Sequence, residues 1–135
     1  MEGNKGIVLD TDVLVDLLRG RDKAVTLIRK LLDSRVNLAT TAINIFELSW
    51  AAYKLGEEKV RDIERLIDTL TILGLTGNSA MKAGEEIAYL ETLGLKIDIR
   101  DLLIGVVIRE INYAIITGNL KHFKRIRDLK TIHYS

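Results

Sequence analysis

Gly6-Ile7-Val8-Leu9-Asp10-Thr11-Asp12-Val13-Leu14-Val15-Asp16-Leu17-Leu18-Arg19-Gly20 carries the pattern that decides the fold. Its first apolar run, residues 7–9, is short, continuous and cut off by acid, which is how a fully buried parallel strand reads. The period then changes. Val13, Leu14, Leu17 and Leu18 share one helical face, with Thr11 or Asp12 as the expected N-cap and Gly20 as the expected stop. Open α/β sheets place their chemistry where a buried strand ends and passes straight into a helix, so Asp10 is expected to anchor a site.

Outward from that stretch the same alternation repeats. Residues 22–35 space Val25, Ile28, Leu31 and Leu32 as one helical face, with Asp22 as its cap. Residues 36–40 form a second short strand that leads into a helix bearing Glu47 between Phe46 and Leu48. Residues 57–70 are a surface helix with pairs such as Glu57 and Arg61 one turn apart, and residues 70–75 a third strand. A helix capped by Asn78 or Ser79 should turn Ala80, Ala83, Ile87, Ala88 and Leu90 inward and stop at Gly94. Residues 102–108 are apolar on every side, as in a central buried helix, with Asp98 as its N-cap. Residues 112–116 and 131–134 supply two more strands, with a short basic stretch at 121–127 between them. Strands alternating with helices predict a mostly parallel five-stranded sheet covered by helices on both faces, a three-layer α/β/α architecture. Trp50 and the four tyrosines read as core or interface filler.

Composition narrows the chemistry. The chain has 135 residues, 47% of them hydrophobic, enough for a single domain over 1–135 with a core of its own. No apolar run is long enough to span a bilayer and no signal-peptide pattern is present, so a cytoplasmic protein without membrane attachment is expected. Without cysteine there are no disulfides, thiolate zinc sites or cysteine nucleophile, and two histidines, His122 and His133, leave little for a multi-histidine site. The net charge is +1, but residues 117–135 hold five Lys/Arg against one Asp, which would draw a phosphate-bearing partner.

In a parallel sheet the carboxyl ends of the strands share one edge. Asp10 and Asn119 follow two of those ends, Glu47 lies on the helix after a third, and Asp98 and Asp101 stand at the start of the buried helix. Carboxylates attached to such apolar segments need hydrogen bonds or cations. Oxygen ligands without Cys or His specify a hard cation, Mg²⁺ or Mn²⁺, of the kind that binds phosphate and activates water, and so suggest phosphodiester cleavage. Local alternatives exist: Asp12 and Asp16 read as cap and surface residues, and Asp98 and Asp101 as a carboxylate variant of a capping box.

Four blocks in order then resemble a known family. Leu9-Asp10-Thr11-Asp12-Val13-Leu14-Val15-Asp16, the stretch from Thr40 to Leu48, Asp101-Leu102-Leu103-Ile104-Gly105 and Thr117-Gly118-Asn119-Leu120-Lys121-His122-Phe123 are similar to the motifs of PIN-domain ribonucleases. Among them the chain resembles the VapC-type toxins of toxin–antitoxin pairs. The resemblance implies a parallel five-stranded sheet, an Mg²⁺- or Mn²⁺-dependent endoribonuclease, a homodimer and a VapB-type antitoxin. It places catalytic roles on Asp10, Glu47, Asp101 and Asn119 and the metal on Asp10, Glu47 and Asp101. Asp98, three residues before Asp101, faces the same way and is a further metal candidate. Many members carry Asp where this chain has Asn119, which removes one charge. Thr11 or Asn119 would orient a water, and Thr11, Arg19, Arg21, Lys121 and Arg125 are the candidate substrate-binding residues, the basic ones against RNA phosphates.

Two other readings compete. A degenerate PIN domain that binds RNA or protein without cutting would explain Asn119. The run Ile7-Val8-Leu9-Asp10-Thr11-Asp12 is also similar to the opening of haloacid-dehalogenase-type phosphatases, but the acidic pair that family needs later is missing at Thr117-Gly118-Asn119.

Overall fold

In the computed structural model, which describes residues 6–135, the first apolar run is strand β1 (Gly6–Leu9), buried at every position. Residues 1–5, where no signal-peptide pattern was read, lie outside the described part. The chain continues through α1 (Thr11–Leu18), α2 (Asp22–Asp33), β2 (Asn37–Thr41), α3 (Ala42–Leu55), α4 (Glu57–Thr69) and β3 (Thr71–Leu73). It is completed by α5 (Gly77–Thr92), α6 (Ile99–Glu110), β4 (Ala114–Thr117), α7 (Leu120–Phe123) and β5 (Lys130–His133). The sheet order is β3-β2-β1-β4-β5, and all four pairings are parallel, so the expected mostly parallel sheet is parallel throughout.

Side chains alternate across a strand, and β1 divides the core accordingly. Ile7 and Leu9 join Val13, Leu14, Leu48, Ala52, Ile63 and Leu66 under α1–α4. Val8 points the other way, onto Leu90, Leu102, Ile104, Ile108 and Phe123 under α5–α7. The result is three layers. The chain builds one half of the sheet as β1, β2 and β3, then returns to the far side of β1 for β4 and β5. The strand order therefore reverses between β1 and β4, and a crevice opens at their carboxyl ends. Asp10 and Gly118-Asn119 follow those two ends.

The helix ends correct several expectations. Asp10 occupies the N-cap position of α1, in place of Thr11 or Asp12, and uses its backbone carbonyl instead of its side chain for the first turn. Arg21 precedes α2, so Asp22 is its first residue and its charge favours the helix dipole. Thr76, not Asn78 or Ser79, caps α5 in a reciprocal box with Ser79. On α5, Ala80 and Ala88 are exposed, while Glu86 is buried. An i, i+3, i+4 pattern set by small residues placed the face slightly off its true position. Trp50 is 54% exposed and Tyr53 more so, which removes them from the core; Tyr134 is buried. Helix α6 is buried from Leu102 through Ile108, apart from the partly covered Leu103, as its all-round apolar sequence predicts.

Candidate active site

Asp10 is 8% exposed and sits against the switch point, its backbone N–H donating to Ile116 O of β4. Its carboxylate is held by neutral donors. Asn44 Nδ2 donates to Oδ1 at 3.0 Å and the Thr117 hydroxyl donates to Oδ2 at 2.6 Å. Burial is the dominant influence and raises the carboxyl; hydrogen bonds from Thr117, the Thr11 backbone and Asn44 pull the other way, Asp12 adds repulsion, and the outcome is about 6.

Asn44 links this carboxylate to Glu47. At the start of α3 the Thr41 side chain accepts from Asn44 N–H, and the Thr41 hydroxyl donates back to Asn44 Oδ1 at 2.6 Å. That capping box locks the amide, so its Nδ2 donates both to Asp10 and to Thr11 Oγ1, at 2.9 Å. The Thr11 hydroxyl in turn donates to Glu47 Oε1 at 2.7 Å. Glu47 lies one and a half turns into α3, with its other oxygen 3.5 Å from Arg100 Nη1.

The third acid arrives from the opposite face of the sheet. Gly105, one turn after Asp101, lets α6 press against Ile126 and Phe123: a Cβ there would fall 2.2 Å from Ile126 Cδ1. This close approach lays the segment after β4 along Asp101. Asn119 Nδ2 is 3.2 Å from Asp101 Oδ2, and His122 Nδ1 lies 3.4 Å from the same oxygen. Burial again is the largest influence on Asp101 and raises it, with His122 opposing and Asp98 reinforcing the shift. Asp12, read from sequence as a cap or surface residue, accepts from Gly118 N–H at 2.8 Å and so tethers the turn after β4.

The other candidates scatter. Asp98 caps α6, accepting from Arg100 N–H at 2.8 Å, and its carboxylate lies 3.6 Å from Arg100 Nε. Arg19 is at the far end of α1, eight residues or about 12 Å of helix from Thr11. Arg21 pairs with Asp16, Arg125 donates to Lys96 O, and Lys121 is exposed on α7 beside Asn119. Asn44, Thr117, His122 and Arg100 were not singled out from sequence. A signal existed for Asn44, since Thr41-x-x-Asn44 has capping-box spacing before an apolar helix, and none for Arg100.

The donors suit a hard divalent cation in kind: carboxylates and amide oxygens, two of the acids pushed up by burial where a positive charge would bring them down. In place, they form two groups, Asp10–Glu47 and Asp101–Asn119–His122. Among the described residues no three His, Cys, Asp or Glu side chains converge into a ready-made metal cluster.

Comparison with known proteins agrees with this fold. The family model described as "PIN domain" matches residues 7–129. The chain is 28% identical over 125 residues to Ribonuclease VapC1 of Haemophilus influenzae, covering 91% of this chain and 93% of the relative. Among solved structures, VapBC2 from Rickettsia felis bound to a promoter DNA fragment superposes with a TM-score of 0.85 at 25% identity, covering 96% and 98% of the two chains. VapBC-1 from nontypeable Haemophilus influenzae gives 0.83 at 26%, covering 95% and 97%.

Proposed function

The chain belongs to the PIN-domain family, and from that membership we propose that it is a metal-dependent endoribonuclease, one domain over residues 1–135, acting as the toxin of a VapBC-type pair. The observation that carries this reading is Asp10: a buried carboxylate at the topological switch point, held by neutral donors, with a second carboxylate, Asp12, raising it further. Burying a charge without a counter-charge is costly, and a fold keeps it where a cation or a reaction needs it.

Asp10, Glu47 and Asp101 would hold Mg²⁺ or Mn²⁺, with Asp98 at the rim. Such a cation supplies Lewis-acid polarisation of a phosphate oxygen and acidifies water. The chain's own residues do the rest. Asn44 and Thr117 fix the Asp10 carboxylate, and Thr11 fixes that of Glu47 through its hydroxyl. The Asn119 amide, beside Asp101, orients the attacking water. Lys121 meets the RNA backbone next to the site, while Arg19, Arg21 and Arg125 extend the contact to phosphates farther along, so binding falls with salt. Arg100, on Glu47, adds a cation at the mouth of the crevice.

The surface supports partners of the kind the neighbours' complexes contain. Val15, Leu18, Leu48, Ala51, Leu55 and Ile63 line an apolar cavity between α1, α3 and α4, and the opposite side of α3 exposes Phe46, Trp50 and Tyr53. We assign these faces to a VapB-type antitoxin and to a second copy of the chain. No helix among the described residues is long and apolar enough to cross a membrane.

The test is cleavage of a labelled single-stranded RNA by purified protein with Mn²⁺, with Mg²⁺ and with EDTA, beside Asp10→Asn. Cleavage should need the metal and disappear in the variant. RNA that stays intact with either metal across a broad panel, yet is bound by the protein, would instead favour a catalytically degenerate PIN domain, the reading that Asn119 motivates.

A further inference from the structure

Beside α6, three polar atoms from three residues face one another. Asp101 Oδ2, Asn119 Nδ2 and His122 Nδ1 are separated by 3.2 Å (Asp101 to Asn119), 3.2 Å (Asn119 to His122) and 3.4 Å (His122 to Asp101). With Asp101 ionised, no placement of the remaining protons satisfies all three sides of this triangle. With Nδ1 bare, the Asn119 amide donates to both neighbours, and Nδ1 and the carboxylate oxygen oppose each other as two acceptors. With Nδ1 protonated, it donates to Asp101 but faces the amide N–H₂ as a second donor. Turning the amide over, an assignment that the hydrogen-bond network alone decides, puts Asn119 Oδ1 in the nitrogen's place. Nδ1–H then meets two acceptors, and the two oxygens oppose each other. While Asp101 is ionised, one side is always a mismatch.

A cation removes the mismatch from every side at once, because all three residues can present a lone pair to it: a carboxylate oxygen, an amide oxygen and an imidazole nitrogen. The size fits as well. Neighbouring ligand atoms around a six-coordinate cation with bonds of about 2.1 Å lie about 3 Å apart. We propose that His122, through Nδ1, is a nitrogen ligand of the divalent cation at this site, next to Asp101 and the amide oxygen of Asn119. The assignment rests on the proposed cation-dependent activity, and adds to it a ligand that neither the acidic pattern nor the resemblance supplied. Its consequence is selectivity. Imidazole suits first-row transition metals, whereas Mg²⁺ keeps to oxygen, so the site should prefer Mn²⁺ to Mg²⁺. His122 is partly exposed, its side chain 39% accessible, so it can be replaced without opening the core.

The experiment is pulsed EPR of Mn²⁺ bound to the purified protein, read for modulation from a directly coordinated imidazole nitrogen, together with titrations of Mn²⁺ and Mg²⁺ binding. Only two histidines exist, so the assignment is unambiguous. Nitrogen modulation should appear in the wild type and in His133→Ala and vanish in His122→Ala, whose Mn²⁺ affinity should fall about tenfold or more. Mg²⁺ affinity should change much less. Bound Mn²⁺ without nitrogen modulation in the wild type, or modulation that survives in His122→Ala, would overturn the ligand assignment and leave the cation-dependent activity standing. Failure of the wild type to bind Mn²⁺ at millimolar concentration would overturn both.

Discussion

Two buried carboxylates, Asp10 and Glu86, are treated by this fold in opposite ways. Glu86, on α5, is 1% exposed and lies between two guanidinium groups. Arg109 of α6 reaches it at 2.9 Å; Arg127 adds its backbone N–H at 3.0 Å and its side chain at 3.1 Å. Burial alone would raise Glu86, but the hydrogen bonds from Arg127 and Arg109 outweigh it and hold the carboxyl below its ordinary value. Arg127 also lies over the ring of Tyr89, 3.7 Å from its centre. Asp10 has only neutral donors and is raised to about 6. The difference teaches what each is for: the first is a structural clamp joining α5, α6 and the segment before β5, and the second is a charge left uncompensated at the mouth of a crevice.

The sharpest way to break this comparison is Glu86→Ala, which withdraws the buried carboxylate that both arginines contact. It should cost about 3 kcal/mol in urea unfolding, the range for breaking a buried ion pair, and a loss near zero would remove the clamp from the account. Asp10→Asn should do the reverse. Near pH 7.5 it should stabilise the protein by about 2 kcal/mol while abolishing cleavage. The pH dependence gives the sign. Because the folded value of about 6 lies above the ordinary 3.8, the contribution of Asp10 is full below pH 3.8 and is lost as pH rises through 6, so the gain from Asp10→Asn should fade toward pH 4. Glu86 runs the other way, its contribution present at neutral pH and lost as pH falls through its lowered value.

Mn²⁺ at ten times its dissociation constant should stabilise the wild type by about 1.4 kcal/mol and Asp10→Asn far less, measured by thermal melts at fixed pH. An equal shift in both proteins would place the cation elsewhere. The smallest effect is expected from Thr117→Val, nearly isosteric, which withdraws the hydroxyl that donates to Asp10. It should cost about 1 kcal/mol at pH 7.5 and less at pH 4, where Asp10 is protonated and the hydrogen bond matters less.

Elements with a strong period were legible in the chain, and their ends were not. Ile7-Val8-Leu9 and residues 102–108 lie where the pattern places them, because apolar periodicity reports burial directly. The caps of α1, α2 and α5 moved by one to three residues, since a cap depends on which side chain finds the backbone N–H, and Thr76 competes there with Asn78 and Ser79. Glu86 could not be found from sequence. Gly84-Glu85-Glu86-Ile87 looks like any wet helical face, and its partners stand 23 and 41 residues away.

By itself, the sequence determined the alternation of strand and helix, the burial of β1, β4 and α6, and the arrival of Asp10 and Asn119 at one edge of a parallel sheet. These follow from hydrophobic period and from the geometry common to all parallel sheets. Only the tertiary structure decided which polar groups meet: Asn44 joining Asp10 to Thr11, Gly105 admitting Phe123 and Ile126 so that His122 reaches Asp101, and two arginines closing on Glu86. Hydrogen bonds and ion pairs act over about 3 Å between residues far apart in the chain, and no local pattern encodes that proximity.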